Sequence, residues 1–198
     1  MLKIYHSPGT RGFRAIWMCE ELSVPYEIVP VNFAAEYRAT PEWRALNPVG
    51  KVPALVRDDG LPLYQSNMVC EYLDSQGTTK LYPDPGPARW TALRQIAAAD
   101  GILDASVVVR MEGMFHEDDT ASTKLIDRQE LSVNAALDQL EAEAGELNGP
   151  VTIGQVAVAC ALGYRDFRFA GIDWRASRPN LAAWFAVFAE RPSMIETD

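Results

Sequence analysis

Cysteine, histidine and long apolar runs are scarce in this chain, and each scarcity removes a class of chemistry. The three cysteines, Cys19, Cys70 and Cys160, are odd in number and far apart, and no two stand in a CxxC spacing. A disulfide framework, a dithiol redox centre and a cysteine zinc site are thereby disfavoured. Each cysteine falls in an apolar helical pattern, where a buried core thiol is expected. With only His6 and His116 as histidines there is no ligand cluster, so no metal site is expected. No run approaches the ~18 consecutive apolar residues of a membrane span. The opening MLKIYHSPG reads as a strand and not as a basic stretch ahead of an apolar signal segment. The expectation is a cytoplasmic protein without a membrane partner. An excess of positive charge is missing too: the formal net charge is −9, which disfavours nucleic acid. That charge is uneven, −1 from Met1 to Lys80 and −8 from Leu81 to Asp198. An anionic ligand is better received by the first part.

What the chain does have is apolar residues, 48% of 198, enough for one large core or two small ones. LKIY is a short β-like run, Phe13 to Leu22 has helical spacing, and SVPYEIVPVNF returns to β character. A β-α-β start of this length implies two parallel strands joined by a helix. ATPEWRALNPVG reads as a loop with a helical turn. VPALV and LPLYQ flank the turn signal DDG and form an antiparallel hairpin. SNMVCEYLDSQG then reads as a helix with Ser66 as its N-cap and Gly77 past its end. LYPDPGP, residues 81–87, holds three prolines and a glycine and reads as a linker. Beyond it the pattern is helical: Ala88 to about Met114, Thr123 to Leu147, Ile153 to Phe169, and near Leu181 to Glu190. VTIGQVAV has the form of a capping box, with Thr152 as N-cap and Gln155 three residues on. The fold class expected is α/β plus all-α, with an α/β domain over 1–80, a linker over 81–87 and a helical domain over 88–198.

Three short stretches could carry chemistry. In GKVPALV, Pro53 stands where a sheet needs a backbone donor, so Pro53 either begins a strand or leaves the neighbouring backbone for another use. In QSN, a hydroxyl at a helix start lies where the helix dipole attracts an anion, and Ser66 is either such a site or only a cap. In YHSPGTRGFR, Ser7-Pro8 is a good helix start, a capping hydroxyl followed by proline at the first helical position. Thr10 is a second hydroxyl nearby. Arg11 and Arg14 either lend charge to a site or are solvated helix residues.

The element order, together with NPVGKVPALV, LYQSNMVCEYL and VTIGQVAVACALGYRDF, resembles the cytosolic glutathione transferases over essentially the whole chain. The resemblance implies a thioredoxin-like first domain, with a cis proline before its third strand, and a C-terminal helical bundle. It implies glutathione as co-substrate, with the Val52 N–H and C=O pairing to the cysteinyl backbone beside Pro53. Ser66 would take the γ-glutamyl carboxylate, Gln65 the γ-glutamyl ammonium or polar atoms near it, and Lys51 the glycyl carboxylate. Ser7 matches the catalytic hydroxyl of serine-type members, with Arg11 four residues on and Thr10 as the competing hydroxyl. The chemistry then required is a thiolate at neutral pH, although an unperturbed thiol titrates near 8.5. No cysteine lies between Met1 and Met18, which counts against the members that form a mixed disulfide with glutathione. In the family the second substrate sits between the domains against the first long helix, which makes Val107, Val108, Met111 and Met114 candidates and leaves ordinary core as the alternative. Family dimers also place Asp100 or Asp104 of that helix near a partner subunit's glutathione.

The function implied is a glutathione transferase whose thiolate attacks a small electrophile or a peroxide, working as a homodimer in detoxification. Two alternatives stay open: a glutathione-dependent isomerase or disulfide-active relative, and a non-catalytic binding protein on the same fold.

Overall fold

The computed structural model describes residues 1–32, 40–116, 122–195 and 197. It divides into two compact units, Met1–Pro83 with Arg191–Asp198, and Asp84–Glu190.

The first unit is a four-stranded mixed sheet carrying helices. Strand β1 (Leu2–His6) alternates, burying Leu2, Ile4 and His6 on one face. Helix α1 (Phe13–Leu22) leads to β2 (Tyr26–Pro30), which pairs with β1 in parallel, Leu2 opposite Tyr26. Phe33, the end of the β-like stretch in the sequence, lies outside the described residues. Helix α2 (Pro41–Leu46) precedes the hairpin of β3 (Ala54–Val56) and β4 (Pro62–Tyr64). β3 runs antiparallel to β1, β4 antiparallel to β3, and the sheet order is β2-β1-β3-β4. Helix α3 (Ser66–Gln76) follows directly and stops at Gly77. The thioredoxin-like β-α-β, β-β-α expectation is met, cis Val52–Pro53 bond included.

Two boundaries differ from the sequence reading. Leu81 and Tyr82 open the expected linker, yet both are buried, because their N–H groups donate to the buried Asp74 Oδ1 at 2.6 and 3.1 Å. At the other end, the chain from Arg191 on packs with the first unit and not with the helices. Arg191 Nε and Nη2 donate to the two Glu21 carboxylate oxygens, each at 2.7 Å, Ser193 Oγ donates to Oε1 at 2.6 Å, and Trp17 Nε1 donates to Thr197 Oγ1 at 2.9 Å. Burial opposes the Glu21 charge, but the hydrogen bonds from Arg191 and Ser193 outweigh it and hold the carboxyl below its usual range.

The second unit is helical: α4 (Pro87–Phe115), α5 (Thr123–Ala142), a 3₁₀ turn at Ala144–Leu147, α6 (Ile153–Arg168) and α7 (Pro179–Phe188). A last short helix, α8 (Pro192–Ile195), belongs to the first unit. The expected capping box is present, the Thr152 N–H donating to Gln155 Oε1 at 2.5 Å, while Gln155 Nε2 ties back to the Leu147 carbonyl at 2.6 Å. All three cysteines are buried, and none forms a disulfide among the described residues. Helix α6 is buried along most of its length, and its crossing with α4 depends on Gly154. A Cβ there would lie 2.2 Å from Gln95 Oε1 and 3.0 Å from the Ala92 backbone. Alanine is the better helix former by up to ~1 kcal/mol, but backbone cannot yield as a flexible side chain can. Gly154→Ala is therefore expected to lower stability by about 1–3 kcal/mol, read as a shifted urea midpoint.

Candidate functional site

The register of the sheet gathers three chain segments at one end. Tyr5 of β1 is opposite Ala54 of β3, and Ala54 is opposite Tyr64 of β4. Continuing past Tyr5 leads to His6 and Ser7; stepping back from Ala54 leads to Pro53, Val52 and Lys51; continuing past Tyr64 leads to Gln65 and Ser66. Because β3 is antiparallel to both neighbours, all these residues leave the sheet at the same edge. α3 begins there, and the Ser7 loop leads from there into α1.

The Val52 segment is built on Asn47, which is 1% exposed. Its Oδ1 accepts the Val49 N–H at 2.9 Å and its Nδ2 donates to the Lys51 carbonyl at 2.5 Å, so one side chain folds the NPVGK turn. Gly50 closes that turn at φ 72°, in the left-handed region, with Arg44 packed where its Cβ would be. Trp43, buried on α2, packs in one cluster with Val52, Ala54 and Val31, flanked by Tyr5. Val52 is thus held rigidly, while among the described residues no hydrogen bond uses its N–H or C=O. Lys51 is exposed beside it.

At the start of α3 the structure corrects the sequence reading. The cap is Gln65, at φ 75°, whose Oε1 accepts the Asn67 and Met68 N–H groups at 2.8 and 3.1 Å. The chain must reverse between β4 and α3, and the residue in the turn takes the cap, leaving serine one place inside the helix. Ser66 Oγ is released from capping; it is 1% exposed and has no hydrogen-bond partner among the described residues. A buried hydroxyl without a partner costs on the order of 1–3 kcal/mol, and it lies where the helix dipole is positive.

The Ser7 expectation is corrected in the same way. Ser7 caps nothing: α1 starts at Phe13 with Gly12 as its N-cap, and Ser7 and Pro8 lie in the preceding loop. Thr10 folds that loop, its hydroxyl donating to the Ser7 carbonyl at 2.7 Å and accepting the Gly12 N–H at 3.2 Å. The Ser7 hydroxyl is half-buried and has no partner among the described residues. Arg11 also precedes the helix, half-buried. Arg14 is not a solvated helix residue but is completely buried, with Nη1 donating to Asn67 Oδ1 at 2.8 Å. It places a buried cation behind the turn that carries Ser66, which raises the positive potential there.

His6 is buried under the loop, and its Nδ1 has no hydrogen-bond partner among the described residues. Burial pushes its pKa down to about 4, so at neutral pH the imidazole is uncharged and too weak a base to hold a thiol proton.

Asn47 and Trp43 are supports that the sequence reading leaves unassigned, and it leaves Arg14 between charge lent to a site and a solvated helix position. The asparagine had a signal, Asn-Pro-x-Gly being a turn signature; the other two depend on partners distant in sequence. On α4, Val107 and Met111 are half-buried whereas Val108 and Met114 are 37% and 56% exposed, so the last two are not core.

Comparison with known proteins bears on the whole chain. Residues 1–75 match the family model described as "Glutathione S-transferase, N-terminal domain", and residues 123–186 match "Glutathione S-transferase, C-terminal domain". The uncharacterized GST-like protein YibF of Escherichia coli K12 is 31% identical over 98% of this chain and 95% of its own length. The glutathione S-transferase GstB of the same organism is 32% identical over 94% of this chain and 91% of its own. A crystal structure of a family member from Pseudomonas fluorescens Pf-5 with bound glutathione superposes with a TM-score of 0.94 at 36% identity, covering 100% of this chain and 98% of that one. One from Methylobacillus flagellatus with glutathione bound gives 0.90 at 28% identity, over 99% and 98%.

Proposed function

The chain belongs to the glutathione transferase family, and we propose that it is an enzyme of the serine type that binds glutathione at the gathered sheet edge and activates its thiolate. The observation that carries this reading is the buried Ser66 hydroxyl at the start of α3, without a partner among the described residues. The γ-glutamyl carboxylate satisfies it, helped by the helix dipole and the buried Arg14. Val52 offers its unused N–H and C=O to the cysteinyl backbone, adding the ligand to the sheet as a short extra strand beside Pro53. Lys51 meets the glycyl carboxylate. Gln65, its carbonyl already accepting two bonds, acts on the ligand chiefly by fixing the turn.

These contacts bring the sulfur to the loop after β1. There Ser7 donates its hydrogen bond to the thiolate, Thr10 holds the loop and Arg11 adds favourable charge. A donor to the sulfur stabilises the charged form and lowers the thiol pKa, each unit being worth about 1.4 kcal/mol. The thiolate then forms a carbon–sulfur bond with an electrophilic carbon of a small-molecule substrate, displacing its leaving group or adding to an activated double bond, or attacks a peroxide oxygen, which breaks the O–O bond to give a sulfenic acid and, after protonation, the alcohol. The co-substrate supplies the nucleophile and the protein its charge state. The bound glutathione in the Pseudomonas and Methylobacillus relatives supports the ligand assignment.

The same reading carries a cytoplasmic homodimer. No helix among the described residues is long and apolar enough to cross a membrane.

Calorimetric titration with glutathione near neutral pH, with the ultraviolet absorbance of the thiolate recorded, tests the proposal. Binding accompanied by the thiolate signal is expected, and absence of binding refutes it. Ser66→Ala is expected to weaken binding about 10–100-fold, since a hydrogen bond to a charged group is worth ~1.5–3 kcal/mol. Equal affinity would reduce Ser66 to a filler of the turn.

A further inference from the structure

His6 and Gly12 meet more closely than the local backbone requires. Gly12 has φ −62° and ψ −27°, ordinary helical values that any residue adopts. The reason for glycine is space: a Cβ at this position would fall 2.3 Å from His6 Nδ1, 3.3 Å from its Cε1 and 3.2 Å from Thr10 Oγ1. The imidazole fills the place that a side chain at position 12 would take. It cannot retreat. Its backbone is pinned in the sheet, with the Val31 N–H donating to the His6 carbonyl at 2.7 Å, and the ring lies edge-on to Phe13 at 4.7 Å between centroids. The loop opposite is tied into one body, Gly12 to Thr10 and Thr10 to Ser7, by the two hydrogen bonds of the Thr10 hydroxyl. Anything that pushes Gly12 away from His6 therefore carries Ser7 with it.

We propose that His6 and Gly12 form a size-matched pair that sets the position of the Ser7 hydroxyl, His6 being a positioning residue for the glutathione thiolate. The inference rests on the reading of Ser7 given above and extends it to two residues that touch no ligand. A donor acts on a sulfur only at hydrogen-bond distance and weakens steeply with misalignment, so a loop displacement of a few tenths of an ångström acts on the thiol pKa more than on the affinity for glutathione.

The test is a cycle of Gly12→Ala, His6→Ala and the double variant, read by the thiol pKa of bound glutathione, by calorimetric affinity and by thermal unfolding. Gly12→Ala is expected to raise the thiol pKa by about one unit with affinity changed less than about twofold. The double variant, with room for the new methyl, is expected to return towards the wild-type thiol pKa. A wild-type thiol pKa in Gly12→Ala, or losses that add in the double variant, would overturn the proposal. So would coupling visible in thermal unfolding but absent from the thiol pKa, the mark of packing alone. If Gly12→Ala is too unstable to assay, the double variant decides: folded with near-wild-type thiol pKa supports the pair, and unfolded refutes it. Failure of the underlying reading shows elsewhere, as an unchanged thiol pKa in Ser7→Ala, and it would remove the pair's target even where the His6–Gly12 coupling persists.

Discussion

Ser7→Ala is expected to raise the thiol pKa of bound glutathione by about 1–2 units, a loss of roughly 1.4 kcal/mol of thiolate stabilisation per unit, while leaving affinity nearly intact. Turnover of an electrophile near neutral pH should fall about 10–100-fold and recover as the pH rises through the new pKa, because above it the glutathione is thiolate with or without the hydrogen bond. The choice between the two hydroxyls of the loop follows from counting protons. A hydroxyl has one proton to donate. That of Thr10 is directed at the Ser7 carbonyl, 2.7 Å away, and its oxygen already accepts the Gly12 N–H. The Ser7 hydroxyl has no such commitment among the described residues. Thr10→Ser, which keeps the hydroxyl, should therefore stay close to wild type. A pH–rate profile that is identical in Ser7→Ala and in wild type would transfer the role to Thr10.

Element order from β1 to α3 was legible where an element announces itself by its own period or turn: the alternation of LKIYH, the helical spacing of Phe13 to Leu22, the DDG turn between two apolar runs; α2, read as a loop with a helical turn, and the short α8 carry no such signal. The exact edges of the site were not, because they are decided by geometry between elements. Serine is the statistically better cap, yet Gln65 takes that place because the reversal after β4 puts it at φ 75°. Ser7-Pro8 carries a helix-start signature, yet the Thr10 hydroxyl folds the segment into a loop and delays α1 to Phe13. Arg14 shows best what a local pattern cannot carry. An arginine on an amphipathic helix reads equally as solvated or as charge lent to a site, and its complete burial, with Nη1 bonded to Asn67 53 positions away, is decided between elements. The return of Arg191 to Glu21, across 170 positions, is invisible to periodicity for the same reason.

Removal of Glu130 should be the most damaging single change in the helical unit. Arg165 on α6 is 2% exposed and donates to both Glu130 oxygens on α5, at 2.9 and 3.0 Å. It also donates to Ser106 Oγ on α4 at 3.3 Å, and its guanidinium stacks on Phe169 at 4.1 Å. One side chain thus joins three helices. Glu130→Ala leaves a guanidinium buried without its counter-charge, and the cost of such a break is about 3–5 kcal/mol. That is a large share of the 5–15 kcal/mol that typically holds a domain together. Arg94, 55% exposed in its pairs with Glu143 and Glu146, is the contrast: Arg94→Ala should cost under ~1 kcal/mol, since solvent already screens that charge. The decisive comparison is the double variant Glu130→Leu/Arg165→Met, which removes both charges and keeps the volume. It should regain most of the loss, because the penalty lies in the unpaired charge and not in the absence of the pair. Urea unfolding of the variants measures this, and a double variant as unstable as Glu130→Ala would mean that the guanidinium's contacts with Ser106 and Phe169, more than its charge balance, hold α6 to its neighbours.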